Sequence, residues 1–395
     1  MFAPSKRAAQ SALEDFLPKA GTDYAADRNS DYGPNRHHNV STLSPWIRTR
    51  MLTEWAIIQS VLEEHSEKSA AKFIDEVCWR TYWKGWLQLR PAVWEEYLSA
   101  RAILLEEYSG HLGYEKAIAG ETGIDCFDAW ATELAETGYL HNHARMWAAS
   151  IWIHTLKLPW ELGADWFLRH LLDGDAASNT LSWRWVAGLH TLGKSYLATT
   201  GNIQKYTSGR FSVNRRLATA PIPVPESTPP SIRPLSKLVQ PGTEGRIGLL
   251  LTEDDLSASD WLPQRFSVDA VSGFLPSTAY KELGIDEKVI DFRRACLAER
   301  SGADLFESID PFIDWCTSRK LSTVLMAEPP VGLWTTTLPV IKTRLFEEGI
   351  ELLPQRHWWD EIFYPKATHG FFRFKQAIPS ALKIIKEPAM TETHV

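Results

Sequence analysis

Gly138-Tyr-Leu-His-Asn-His-Ala-Arg-Met146 opens the stretch on which the reading of this chain turns. An apolar helical run follows, then Leu172-Asp-Gly-Asp-Ala-Ala-Ser-Asn179 and Ser182-Trp-Arg-Trp185. In its first half, residues three, four and seven apart stack along a 3.6-residue turn, so Asn142, Arg145, Met146 and Ala149 share one helix face. That face sets an amide, a guanidinium and a thioether side by side. A core-facing stripe seldom carries an arginine unless an anion meets it. Asp173-Gly174-Asp175 reads as a turn, with Asn179 four residues beyond Asp175. Two acids, an amide and a Trp-x-Trp pair then fall within thirteen residues, which predicts a polar, aromatic-walled cavity rather than a plain core.

At 395 residues the chain has room for two domains. An apolar share of 44% with 23% charged residues is globular, not disordered. Of the 18 tryptophans, 13 precede residue 190. Large aromatics fill cores, and an indole-rich half also suits a large planar cofactor. Net charge is −7, and residues 1–211 carry 21 Lys and Arg against 25 Asp and Glu. The bulk field therefore opposes nucleic acid, and a DNA partner would need a local basic patch. Cys78, Cys126, Cys296 and Cys316 lack CxxC spacing, so neither a zinc site nor a disulfide framework is signalled. Neither a signal peptide nor a long apolar run stands out, and the expectation is a cytoplasmic protein with no membrane partner.

Around the central stretch, residues 6–20 read as a short amphipathic helix. A polar segment follows to Val40, in which His37 and His38 have no third ligand at metal spacing and read as a surface loop. Ser44 suits an N-cap and Pro45 a first helical turn; such a start is either an ordinary cap or a phosphate seat. From Ala70 to Arg90 an aromatic helix places Glu76, Trp79, Arg80 and Trp83 on one face. A carboxylate and an indole one turn apart can bond and stack a flat heterocycle, or be a surface acid beside a buried Trp. Another helix spans 123–137, and everything to about 190 reads as helical. Pro221 to Pro234 is a Pro-rich, extended linker. Beyond it, strands at 246–252, 267–272, 322–327 and 350–353 alternate with helices at 286–300, 306–319 and 334–348, which predicts a parallel, doubly wound α/β sheet. That part has no GxGxxG and no P-loop, so nucleotide binding there lacks motif support. The segment Phe371 to Pro379 is aromatic and basic and is expected to pack on the first domain. The division is a helical domain at 5–211, a linker at 212–243 and an α/β domain at 244–387.

Six pieces, in order over 190 residues, resemble the photolyase/cryptochrome family, and among its members the cyclobutane-dimer DNA photolyases. They are Tyr24…Arg28, Ser41-Thr-Leu-Ser-Pro45, Glu76-Val-Cys-Trp-Arg80, Leu140-His-Asn-His-Ala-Arg-Met146, Asp173 to Asn179, and Trp183-Arg-Trp185. The second domain resembles the family's Rossmann-like antenna domain, which normally comes first, so the order looks permuted.

The resemblance implies FAD. It places Tyr24, Ser41, Thr42, Leu43 and Ser44 at the phosphates and ribose, and Arg145 with Asp173 as an ion pair beside the isoalloxazine. Arg80 and Gly174 belong to the same set, Asp175 to the flavin edge, and Asn179 to N5. It implies an extruded cyclobutane pyrimidine dimer held between Trp79 and Trp185, with Glu76 on the pyrimidine and Asn142 and Met146 against the lesion. Trp183 and Trp160 match two members of the family's electron relay. Glu106-Glu107 stands where an outer Trp is expected, and Trp94, Trp147 or Trp152 are the candidates to replace it. His143 stands where dimer photolyases usually carry Arg, and the family's closing helical segment is missing after about Phe211. Two functions follow: a blue-light-driven dimer photolyase acting on damaged DNA, or a cryptochrome-like photoreceptor with a signalling partner. The sequence leaves open whether a second, antenna chromophore is bound.

Overall fold

The computed structural model describes residues 2–223, 230–242 and 244–386. Among these, the front half is helical: α1 (Lys6–Phe16), α2 (Thr22–Asp27), α3 (Ser44–Arg48), α4 (Glu54–Glu64), α5 (Glu67–Gln88), α6 (Ala92–Glu107), α7 (Leu112–Ala119), α8 (Asp125–Thr137), α9 (Asn142–Ser150), α10 (Trp160–His170), α11 (Ala176–Ala187) and α12 (Thr200–Tyr206). Local chemistry sets many of the ends. Ser66 and Asp175 cap α5 and α11 by accepting from the amides of Ser69 and Ser178. Gly138 and Gly188 close α8 and α11 in the left-handed region. Helices α5, α10 and α11 pack together, and α9 lies against α11.

The sheet contains β1 (Arg246–Leu251), β2 (Ala270–Phe274), β3 (Leu305–Phe306), β4 (Leu321–Ala327) and β5 (Glu351–Gln355), all parallel, in the order β3-β2-β1-β4-β5. Its helices are α13 (Ala258–Arg265), α14 (Ser277–Glu282), α15 (Glu287–Ser301), α16 (Ile309–Ser318) and α17 (Trp334–Glu347). Strands buried on both faces read as apolar runs rather than alternations, which is why Ile247 to Leu251 and Val324 to Ala327 are continuous. The pleat then splits them. Leu249, Leu251 and Leu325 join the core shared with the helical domain, while Leu250, Val324 and Met326 close a separate core with Phe312, Trp315 and Trp334.

The chain does not end on the sheet. After β5, α18 (Trp358–Phe363), α19 (Phe371–Phe374) and α20 (Ile378–Lys386) return to the helical domain, with α18 and α19 on α5 and α20 on α4. The stretch 230–242 holds no regular element and is pinned at both sides: the Arg233 amide donates to the Leu89 carbonyl, and Gln355 donates to that of Val239. Residues 224–229 of the Pro-rich linker, and position 387 at the end of the expected α/β domain, lie outside the described residues.

Three local expectations are corrected. The strand expected at 267–272 is β2 at Ala270–Phe274, because Asp269 is used at the strand's entry, its carboxylate accepting from the Ile247 amide. The helix expected at 306–319 begins only at Ile309, since Leu305 and Phe306 pair with Gly273 and Phe274 as an edge strand. Ser44 is the first residue of α3 and not its cap; Leu43 holds the cap position without a side-chain bond.

Candidate active site

Every residue that the resemblance assigns to the cofactor or the lesion, and Trp183 of the relay, lines one cavity of about 800 Å³; Trp160 and the relay candidates Trp94, Trp147 and Trp152 do not. That volume lies toward the upper end of the roughly 300–1,000 Å³ typical of small-molecule and cofactor sites. The α9 face carries Asn142, Arg145, Met146 and Ala149 into it, as the helical spacing predicts. Opposite stands the α10–α11 turn. Arg145 Nη1 lies 3.0 Å from Asp173 Oδ2, and its Nε donates to the Leu140 carbonyl at 2.9 Å. Arg80, from α5, is paired with Asp175 and lies 3.7 Å from Asp173. Asp175 also accepts from the Ser178 amide, so one carboxylate caps a helix and anchors a guanidinium.

Burial pushes the Asp173 carboxyl upward, but Arg145, Arg80 and the Ser44 hydroxyl outweigh it and hold the group below its ordinary range. Asp173 is ionised at neutral pH, and its Oδ1 is buried without a partner. Ser178 Oγ is likewise buried and unpaired. Buried acceptors are rarely left orphaned, so this wall fits a ligand that brings N–H or O–H donors. Asn179 donates its amide nitrogen to the Ala164 carbonyl at 2.7 Å, which leaves its oxygen as an uncharged acceptor. The donor set suits a flavin: fixed charges paired within the protein, a neutral amide, and the hydroxyls and open backbone of residues 41–44, with Thr42 at φ 50.

The other side of the cavity is aromatic. Glu76 accepts from Arg28 at 2.5 Å; burial raises its pKa and Arg28 opposes that rise. Trp185 stacks on Tyr196 with ring centroids 5.5 Å apart. Trp79 stacks nearly parallel on Phe371 at 3.8 Å, so one face of that indole is covered by the chain's own C-terminal part. The next residue, Phe372, is 84% exposed and stands at the cavity rim. The segment after β5 thus covers a wall of the cavity, where the sequence indicated that a closing helical segment is missing.

Trp183 is 2% exposed, and its ring fits only because residue 163 is glycine: a Cβ there would lie 2.3 Å from the indole. Its ring neighbours are Phe167 at 5.0 Å and Trp152 at 6.1 Å. Trp152 continues to Trp166 at 5.5 Å and Tyr114 at 6.0 Å. Trp160 is away from the cavity, 5.8 Å from Tyr97 and under Arg184. Trp94 stacks on Tyr97 at 5.1 Å, and Trp147 on Trp130 at 5.4 Å. Of the three candidates for a further relay position, Trp152 is the one in ring contact with Trp183.

Sequence reasoning left out Ser178 and Arg28 as the partner of Glu76. Ser178 could have been found from its spacing to Asp175, the N-cap-to-N3 distance of a helix start. The aromatic segment from Phe371 packs on the first domain as expected, but nothing local names Trp79, almost 300 residues earlier, as its partner. His37 is not a surface residue: it is mostly buried and 2.9 Å from Glu133. Among the described residues, no group of three or more metal-ligating side chains occurs, and no helix is long and apolar enough to cross a membrane.

Burial lowers His141 to about 4 and His190 to about 4, and burial together with Arg50 lowers His357 to about 3. All three are neutral in the fold, whereas the unfolded chain protonates near 6.5. The unfolded state therefore binds more protons below that value, and stability falls as pH drops from about 6.5 to 4. Urea midpoints measured across that window should decline, with His143, His154 and His170, also lowered by burial, adding to the fall and Glu253, raised by burial to about 7, opposing it. His141→Gln should flatten the slope, and a pH-independent midpoint would contradict the assignment.

Residues 73–208 match the family described as the FAD binding domain of DNA photolyase. The mitochondrial deoxyribodipyrimidine photo-lyase of Saccharomyces cerevisiae is 32% identical over 190 residues, 45% of this chain and 33% of that protein. The deoxyribodipyrimidine photo-lyase of Thermus thermophilus is 32% identical over 186 residues, 47% of this chain and 43% of that protein. Among solved structures, a class III photolyase from Agrobacterium tumefaciens aligns with a TM-score of 0.44 at 25% identity, over 52% of this chain and 43% of that one. This chain spans less than half the length of these relatives. The matched segment contains Glu76, Arg80, Arg145, Asp173, Asp175, Asn179 and Trp183, the residues that build most of the cavity, and over that segment this chain is similar to the FAD binding domain of DNA photolyase.

Proposed function

We propose that the helical cavity holds FAD and that the protein splits cyclobutane pyrimidine dimers in DNA under blue light. The supporting observation is that one cavity joins an ion-paired wall, Arg145, Asp173, Arg80 and Asp175, to an aromatic and carboxyl wall, Glu76, Trp79 and Trp185. Reduced FAD, when bound, would lend the light-driven electron that opens the cyclobutane ring and take it back once the two pyrimidines have separated. The protein's own groups do the rest. Arg145, Arg80 and Asp173 fix the cofactor-facing wall, and Asn179 offers an uncharged acceptor. Asn142 and Met146 line the space for an extruded lesion, and Glu76 holds its pyrimidine edge. Residues 5–211 form the cofactor domain, and the sheet domain at 244–387 is the family's antenna-type domain placed after it.

One observation favours a second reading, a photoreceptor that does not repair DNA. The Trp79–Phe371 stack couples the cavity wall to the chain's C-terminal part, which could then report a change at the cofactor. The absorption spectrum of the purified protein with FAD, followed by blue-light repair of a thymine-dimer oligonucleotide, separates the two. Repair supports the first reading, and FAD binding without repair the second. Within the first, Glu76→Gln should slow dimer splitting roughly tenfold with FAD still bound, because a charged hydrogen bond to the lesion is lost. Equal rates would remove Glu76 from the site.

A further inference from the structure

In open, doubly wound sheets, ligands occupy the crevice outside the carboxyl ends of the strands where the strand order reverses. Here that crevice lies between β1 and β4. It is filled by the helical domain. Glu253, Asp254 and Asp255, directly after β1, are all buried. Gly332, after β4, meets the first residue of α11 so closely that a Cβ on it would stand 2.9 Å from that of Ala176.

Two arginines converge on the carbonyl of Gly174, between the two acids of the cavity turn. Arg48, from the helical domain, donates to it through Nε at 3.2 Å; its Nη1 binds the Glu253 carbonyl at 3.1 Å and Asp254 at 2.5 Å. Arg293, from α15 of the sheet domain, donates to the same carbonyl through Nη2 at 2.5 Å. Its Nη1 donates to the Tyr280 hydroxyl at 2.9 Å, and that hydroxyl donates to Glu253 at 2.7 Å. Arg293 is fully buried, and neither arginine lines the cavity.

We infer that the sheet domain is a structural part of the cofactor site: its crevice is a socket for the Asp173-Gly174-Asp175 turn, and Arg293 is a positioning residue for that turn. A peptide group can reorient only if its carbonyl is free to swing. With charged donors from both domains on the Gly174 oxygen, Asp173 stays on Arg145 and Asp175 stays on Arg80 and the Ser178 amide. The domain would serve the cavity in this way with or without a pigment of its own. The inference rests on the reading that the cavity holds FAD, but its first test does not need the cofactor.

The test compares the full-length protein with Arg293→Gln, Arg293→Lys and Tyr280→Phe. Hydrogen exchange of the amides at 174–178 is read without FAD, and FAD affinity by flavin fluorescence. Losing a charged donor to a buried carbonyl should speed exchange in that turn and weaken FAD binding, each roughly tenfold, in Arg293→Gln. Arg293→Lys should restore part of both, which a merely space-filling role would not produce. Should Arg293→Gln fail to fold, Tyr280→Phe keeps every charge and removes only the hydroxyl steadying Arg293, and a smaller change in the same direction is expected. Folded variants with wild-type exchange in the turn would overturn the proposal. Wild-type protein that refuses FAD while the exchange differences persist would overturn the cofactor reading and leave the socket standing.

Discussion

Asp173→Asn is expected to strip FAD from the protein. The carboxylate stands between Arg145 at 3.0 Å and Arg80 at 3.7 Å, with one oxygen still unpartnered toward the cavity. An amide of the same shape replaces an ionised acceptor by a neutral group, half of which is a donor facing two guanidiniums. Hydrogen bonds to charged groups contribute about 1.5–3 kcal/mol each. Losing one such bond to the ligand, together with the fixed position of Arg145, corresponds to a drop in FAD affinity of about 10–100-fold. Titration of apoprotein with FAD, followed by flavin fluorescence, reads this directly. The sign of the pH effect follows from the same pairing. Because the folded pKa of Asp173 is depressed, its contribution is complete above the ordinary aspartate range and is lost only as pH falls through the lower folded value. A folded Asp173→Asn protein that binds FAD as the wild type does would remove this pair from the site.

Arg50→Met should have the largest effect on stability. Its guanidinium, 3% exposed, meets three carboxylates from three separate parts of the chain. These are Glu54 at 3.2 Å on α4, Asp255 at 2.8 Å after β1, and Asp360 at 2.5 Å on α18. Arg50 itself sits at φ 51, a left-handed conformation that a non-glycine residue keeps only when its surroundings demand it. Burial alone would raise the Asp360 carboxyl, and Arg50 outweighs burial to hold it low. Removing one member of a buried ionic cluster costs about 3–5 kcal/mol, because the remaining charges stay desolvated and unpaired. Against a total of about 5–15 kcal/mol, that is a large share. Urea denaturation at pH 7 should show the loss, and the deficit should shrink toward pH 4 as the stranded carboxylates take up protons. An unchanged midpoint would mean the cluster is not a fastening between the domains.

Much of the architecture was legible in the residues because its causes are local. The 3.6-residue spacing of Asn142, Arg145, Met146 and Ala149 put them on one face, and that face lines the cavity. The runs at 246–252 and 322–327 announced strands covered on both sides, and the strands form at Arg246–Leu251 and Leu321–Ala327. Boundaries suffered where a local pattern was ambiguous. Leu305 and Phe306 read as the start of a helix until pairing with β2 pulled them into the sheet. Ser44 had a cap's chemistry, but it stands one residue inside the helix, lines the cavity and helps to lower the Asp173 carboxyl.

By itself, the sequence of this protein determined the helical front half, the parallel sheet behind it, and the polar set Arg80, Arg145, Asp173, Asp175 and Asn179. Periodicity, turn chemistry and motif order all act over a few residues. Only the tertiary structure decided that Phe371 would stack on Trp79, that Trp152 rather than Trp160 would neighbour Trp183, and that Arg50 would meet Asp360. Those partners are joined by packing between elements up to 310 positions apart, and no local pattern records which distant side chain will fill a given gap or neutralise a given buried charge.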